Sequence, residues 1–154
     1  MKRVTSLLFK KTRAREKGVA AVELAIIIPL FGVLLLGVME IGGMARDHQI
    51  LQNAAREGAR FSAQKDNWIG GAANPAAVQT TIKNRVIAYL ANERITVVAG
   101  NIAVNQAYVI PGPVNIMGSQ IIVTYNRPLM FPGISRWLSP GTTLQGKAVF
   151  PNFY

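Results

Sequence analysis

From Val19 to Met39 the chain runs for 21 residues with a single charged side chain, Glu23. A helix of that length is about 31 Å long at 1.5 Å per residue, which matches a bilayer's hydrocarbon core. The run therefore reads as a membrane span. Pro29 lies inside it, where a lost backbone donor bends a helix but is tolerated by membrane spans. Gly32 and Gly37 offer places for close helix packing. Glu40 marks the exit on the far side.

The charge distribution gives the span a direction. Lys2, Arg3, Lys10, Lys11, Arg13, Arg15 and Lys17 precede it against one acid, Glu16, so this leader holds +6 of the chain's +10. A basic flank of this kind is retained on the cytoplasmic side. The same charge on a soluble chain would point to nucleic acid, but a membrane segment follows at once, and no nucleic-acid partner is expected. Leu7-Leu8-Phe9 is too short to span or to serve as a signal core, so residues 1–18 are expected to be disordered or to lie at the membrane surface. With no cysteine, there is no disulfide, thiolate metal site or cysteine nucleophile. With one histidine, His48, there is no multi-histidine metal centre either. No metal or cofactor is expected.

Beyond the span the pattern stays helical. Met44, Leu51, Ala55, Gly58 and Ser62 recur at helical spacing, with Arg46, Asp47, Gln49, Gln52 and Arg56 off that face. One long helix is expected from about Val19 to about Lys65, bent at Pro29 and loosened at Gly42-Gly43. Asp66–Asn74 reads as a loop. Asn74-Pro75 opens a second, amphipathic helix over Pro75–Ala91, with Val78, Ile82, Val86, Tyr89 and Leu90 on its apolar face. Four strands are then expected. Ile95–Ala99 and Ile102–Ile110 would form a hairpin around Gly100-Asn101, followed by Ile121–Tyr125 and Thr143–Phe150. Pro128–Pro140 reads as a loop with a turn of helix at Ile134–Leu138. The fold class is α+β: a leader (1–18), a transmembrane helix (19–40), its amphipathic continuation (41–65) and a small head (66–154) of one helix on an antiparallel sheet.

Glu23 is the residue that calls for chemistry. A carboxylate inside a bilayer costs several kcal/mol unless paired or neutralised. Cleavage between Gly18 and Val19 would supply a partner, a new α-amino group at Val19. In a bundle of such helices, Glu23 of one subunit would meet the Val19 amine of a neighbour displaced along the axis. A plain signal-anchor with a Glu near the interface accounts for the same residues equally well.

A basic leader, Gly18, then Val-Ala-Ala-Val-Glu-Leu and a hydrophobic helix resembles the class III signal peptide of type IV pilins and pseudopilins. The longer run is similar to something narrower. Gly18–Ala25, Pro29-Leu30, Gly37–Gly42 and Asn53–Phe61 together resemble the TadE-like family, minor pseudopilins of the Tad (Flp) tight-adherence pilus systems. That resemblance covers roughly residues 15–65 and leaves the head unmatched. It implies cleavage after Gly18 by a prepilin peptidase, and an assembly role for Glu23 as the fifth mature residue. The family commonly has an aromatic after this Glu; here Leu24 stands there. Further implications are partners among other Tad pilins, pseudopilins and the inner-membrane assembly platform, and a role in pilus biogenesis, adhesion, surface attachment and biofilm formation. The expected location is the inner membrane, crossed once, with the N-terminus cytoplasmic and the head periplasmic.

Pro29, Asn53, Arg56, Glu57, Gly58 and Arg60 are candidates for a packing or partner face of the stem. The plainer reading is a solvated face with a Glu57–Arg60 pair at i, i+3, and Gly58 allowing close approach of the sheet or second helix. Two other functions compete with the pilus reading. A signal-anchored or secreted binding protein could be cut by signal peptidase I at Gly43-Met44-Ala45, although the apolar region is long for that. A tethered hydrolase has little to work with, since the head offers only Asp66 and Glu93 as acids and no G-x-S-x-G motif. No enzyme is expected. His48, Trp68 and Trp137 receive no role.

Overall fold

The structure is a computed structural model and describes residues 2–130 and 141–152, with side chains from Gly18 onward. Its elements are α1 (Lys2–Ser62), α2 (Pro75–Asn92), β1 (Ile102–Ile110), β2 (Ile116–Arg127) and β3 (Thr142–Pro151). The expected α+β class, with a membrane-capable N-terminal helix, is what is found. Two corrections concern α1. The leader is helical from Lys2, which departs from the first of the two expectations for it (disordered) and leaves the second (at the membrane surface) open, and the helix stops at Ser62, short of Lys65. The chain divides into two compact units, Met1–Ile41 and Gly42–Tyr154.

Within the second unit α1 supplies one wall of the core. Ile50, Leu51, Ala54, Ala55, Ala59 and Ala63 are all buried. Most of that stripe is alanine, and small side chains let neighbours approach the helix backbone. At Gly58 an added Cβ would stand 2.5 Å from Val86 of α2 and 3.5 Å from Ile121 of β2. At Gly146 of β3 it would run into the backbone carbonyl of Leu51. Ile82, Val86 and Leu90 of α2 fill the opposite side.

The start of α2 follows from sequence: the Asn74 side chain accepts the Ala77 N–H at 3.1 Å, and Pro75 occupies the first turn. At its end Arg94 takes the left-handed conformation (φ 63°) usual for glycine, and the Ile95 N–H reaches back to the Leu90 carbonyl at 2.9 Å.

The sheet has three described strands in the order β1-β2-β3, all antiparallel, rather than four. Ile95–Val98 buries Ile95 and Val97 in alternation, yet pairs with none of the described strands. Its hairpin fails at the turn. A two-residue type I′ turn needs positive φ at both central residues. No described glycine has positive φ, and Ala99–Asn101 forms a 3-10 turn instead. The hairpin that does form joins β1 and β2 through Pro111–Asn115. The expected Asp66–Asn74 loop contains the second of two short 3-10 turns, Lys65–Asn67 and Ile69–Gly71. The helical turn expected at Ile134–Leu138, with Trp137, lies outside the described residues.

The side chain of Gln106 in β1 closes the end of α1, next to a bulge in that strand. Asn105 pairs with Gln120 but Tyr108 pairs with Gly118, so β1 carries one extra residue there. Gln106 faces inward in the same alternation as Ile102 and Val104, and is 9% exposed. Its amide nitrogen lies 2.8 Å from both the carbonyl and the hydroxyl of Ser62 and 2.7 Å from the Asn67 carbonyl. Its amide oxygen accepts the Ile69 N–H at 2.7 Å. Ser119 joins through the Ser62 hydroxyl at 2.6 Å, and the Asn67 amide donates to the Phe61 carbonyl at 2.9 Å. Carbonyls left over at a helix end need such partners. Gln106→Leu strands several of these groups at once. It is expected to destabilise the head by about 2–4 kcal/mol, measured as a fall in the urea midpoint of the circular dichroism signal.

Candidate functional site

The described side chains of the first unit, from Gly18 to Ile41, lie on a helix and are mostly exposed. Ile26, Ile27 and Ile28 are 69%, 56% and 60% exposed, and three consecutive residues point in three directions about a helix. Large apolar side chains from Val19 to Ile41 are exposed in the same way. Gly18–Ser62 contains a stretch long and apolar enough to cross a membrane. Exposure all round is what a bilayer tolerates and water does not.

Gly18 and Val19 lie in this helix, so the bond between them is a helical peptide bond. A Cβ added at Gly18 would meet nothing within 4 Å, and the same holds for Gly32, Gly37 and Gly42. The fold of one chain therefore does not require glycine at these positions, although each costs about 1 kcal/mol of helix stability relative to alanine. Glu23 is exposed, with no hydrogen bond or ion pair among the described residues. Pro29 is also exposed and lies within the continuous helix.

The remaining candidates lie in the second unit, and the structure separates them. Gly58 is buried against Val86 and Ile121. Glu57 does not pair with Arg60. It accepts from Arg85 of α2, at 2.8 Å from Nη2 and 3.2 Å from Nε, and the Arg85 guanidinium also lies 5.8 Å from the Phe61 ring centroid. Asn53, Arg56 and Arg60 are exposed. Together with Glu57 they line a groove of about 460 Å³, closed by Tyr89 and by Ala148, Val149 and Phe150. Sequence reading found the helical wall of this groove and missed Tyr89 and Phe150 as parts of it, because they come from elements 29 and more residues away.

Other features offer less chemistry. No group of three or more His, Asp or Glu side chains that could hold a metal exists among the described residues. His48 is exposed on α1. Trp68 is 44% exposed, with its ring against Gly70 and Gly71. It borders a larger apolar cleft of about 880 Å³, with Ile69, Val104 and Met117. Asp47, near the start of this unit, accepts from Arg127 Nε at 2.7 Å, tying α1 to the end of β2.

Comparison with known proteins bears on the helix. The family model described as TadE-like protein matches residues 18–60, from the glycine before the apolar run through the second exposed arginine of the groove. No curated protein and no solved structure matches the chain.

Proposed function

The chain carries a TadE-like domain, the mark of a protein associated with Tad pili, and from that premise we propose that it is a minor pseudopilin acting in assembly of a Tad-type pilus. A prepilin peptidase cuts it between Gly18 and Val19. The new α-amino group of Val19 then faces Glu23 of a neighbouring subunit and sets the register between the two helices. The apolar helix is held in the inner membrane with its basic leader on the cytoplasmic side. The head lies on the far side, available to other pilins and to the assembly platform. Adhesion and biofilm formation follow from the pilus, not from any chemistry in the head.

The observation that carries this reading is the start of the family match at Gly18, a glycine that packing within one chain does not require. A peptidase must draw its substrate into extended form. Glycine lowers the cost of opening the helix there and leaves no side chain beside the scissile carbonyl. Gly32, Gly37 and Gly42 likewise give other helices room to approach.

N-terminal sequencing of the mature protein from a host with an active prepilin peptidase tests the proposal. Val19 is the expected first residue, and Gly18→Leu is expected to leave only the precursor. A mature start at Arg46 would favour signal peptidase I and a secreted protein. An uncut chain, or normal processing of Gly18→Leu, would refute maturation at this site.

A further inference from the structure

Arg56 and Arg60 are the strongest feature of the head that the maturation reading leaves unused. Both are exposed, and neither has a hydrogen bond or ion pair among the described residues. Four residues apart on α1, they stand about 6 Å apart along its axis. The one acid in their groove, Glu57, is held by Arg85. The groove is therefore lined by two unpaired guanidiniums together with the side chains of Tyr89 and Phe150. A guanidinium binds a carboxylate through two parallel hydrogen bonds.

We propose that this groove docks an acidic segment of a different subunit of the pilus assembly. Two carboxylates of the segment pair with Arg56 and Arg60, and an apolar side chain between them rests on Tyr89 and Phe150. The setting in a pilus rests on the function proposed above; the acidic chemistry of the partner rests on the groove itself. The spacing fits carboxylates at i and i+4 of a helix, or at i and i+2 of a strand, where the repeat is about 6.6 Å. A second copy of this chain is a poor occupant. From Gly42 onward the sequence has ten basic residues and four acids. Asp47 is bound to Arg127, Glu57 to Arg85, and Glu93 stands 4.0 Å from Arg46. Only Asp66 is left to offer, against two arginines.

The test uses the purified full chain in detergent and three labelled helical peptides. One carries Glu at i and i+4 around a leucine, and the others carry Gln or Lys at the same two places. The Glu peptide should bind about tenfold or more tighter than the Gln peptide at low salt, with the advantage fading at high salt. The Arg56→Glu, Arg60→Glu double variant should lose the Glu peptide and gain the Lys peptide, while Lys83→Gln changes nothing. Its melting temperature should stay near wild type, since both arginines are exposed and unpaired. Equal binding of the Glu and Gln peptides, or no effect of the double variant, would overturn the proposal. So would an arginine-dependent preference for phosphatidylglycerol vesicles over the Glu peptide, which would assign the groove to lipid headgroups. The uncut Gly18→Leu chain should bind the Glu peptide as wild type does. Failure of the groove and failure of the maturation reading are thereby separated.

Discussion

A Gly146→Val variant is expected to lose the folded head, with the membrane helix unaffected. Gly146 stands on the helix-facing side of β3, opposite Val123 of β2, where a Cβ would collide with the backbone of α1 at Leu51 and Gln52. A side chain in the way can rotate; a helix carbonyl cannot. Relief requires α1 to lift from β3 near Leu51, which is fully buried. Overpacking a core costs about 1–3 kcal/mol even when side chains absorb it. A backbone collision that opens the core belongs above that range, against a total stability of about 5–15 kcal/mol for a domain. Two companion variants calibrate the result. Gly58→Ala presses on a methyl group of buried Val86, a side chain and not a helix backbone, and should cost less than the Gly146 change. Gly100→Ala meets nothing within 4 Å and should remain close to wild type. Loss of the cooperative melt in Gly146→Val alone, with insertion retained, is the expected pattern. A wild-type melt for Gly146→Val would show that α1 does not lie against β3.

This close approach also marks the limit of what sequence could tell. The helices were legible because their signals are local. The apolar period of α2 and its Asn74-Pro75 cap are read within one stretch, and Ile82, Val86 and Leu90 are buried as expected. The helix long and apolar enough to cross a membrane was legible from length and composition alone. What was missed depends on partners far along the chain. At the end of α1 the Ser62 carbonyl accepts from the side-chain amide of Gln106, 44 residues later. Gln106 faces inward by the alternation of β1, which does not tell in sequence which helix end it will meet. Ile95–Val98 has the alternation of a strand, yet packing satisfies that alternation without a ladder. Glu57 has Arg60 within helical reach and pairs with Arg85 instead. Local spacing lists the available partners, and tertiary placement selects among them. The candidate face divided for the same reason. Gly58 faces the core, whereas Arg56 and Arg60, beside it in sequence, remain in solvent.

Glu23→Ala is the substitution with the largest expected effect on function, and its effect depends on cleavage. The carboxylate is the only charge between Val19 and Met39, and it finds no partner among the described residues of its own chain. Leaving it ionised in hydrocarbon costs several kcal/mol. In the proposed assembly an amine from a neighbouring subunit would offset that cost and, through a charge-assisted hydrogen bond that forms only at close contact, would fix how far the two helices slide. Removing the carboxylate should ease membrane insertion while lowering assembled subunit by about tenfold or more, the equivalent of at least 1.4 kcal/mol. Glu23→Gln, which keeps the shape and a hydrogen bond but not the charge, should behave like alanine. The decisive comparison is a double-mutant cycle with Gly18→Leu. An uncut chain has no free amine at Val19, so Glu23→Ala should have no further effect in that background. Subunit association measured by crosslinking in membranes gives the four corners of the cycle. Equal losses from Glu23→Ala in cut and uncut chains would show that the carboxylate has some other partner, and the cleavage-dependent register would fall with that result.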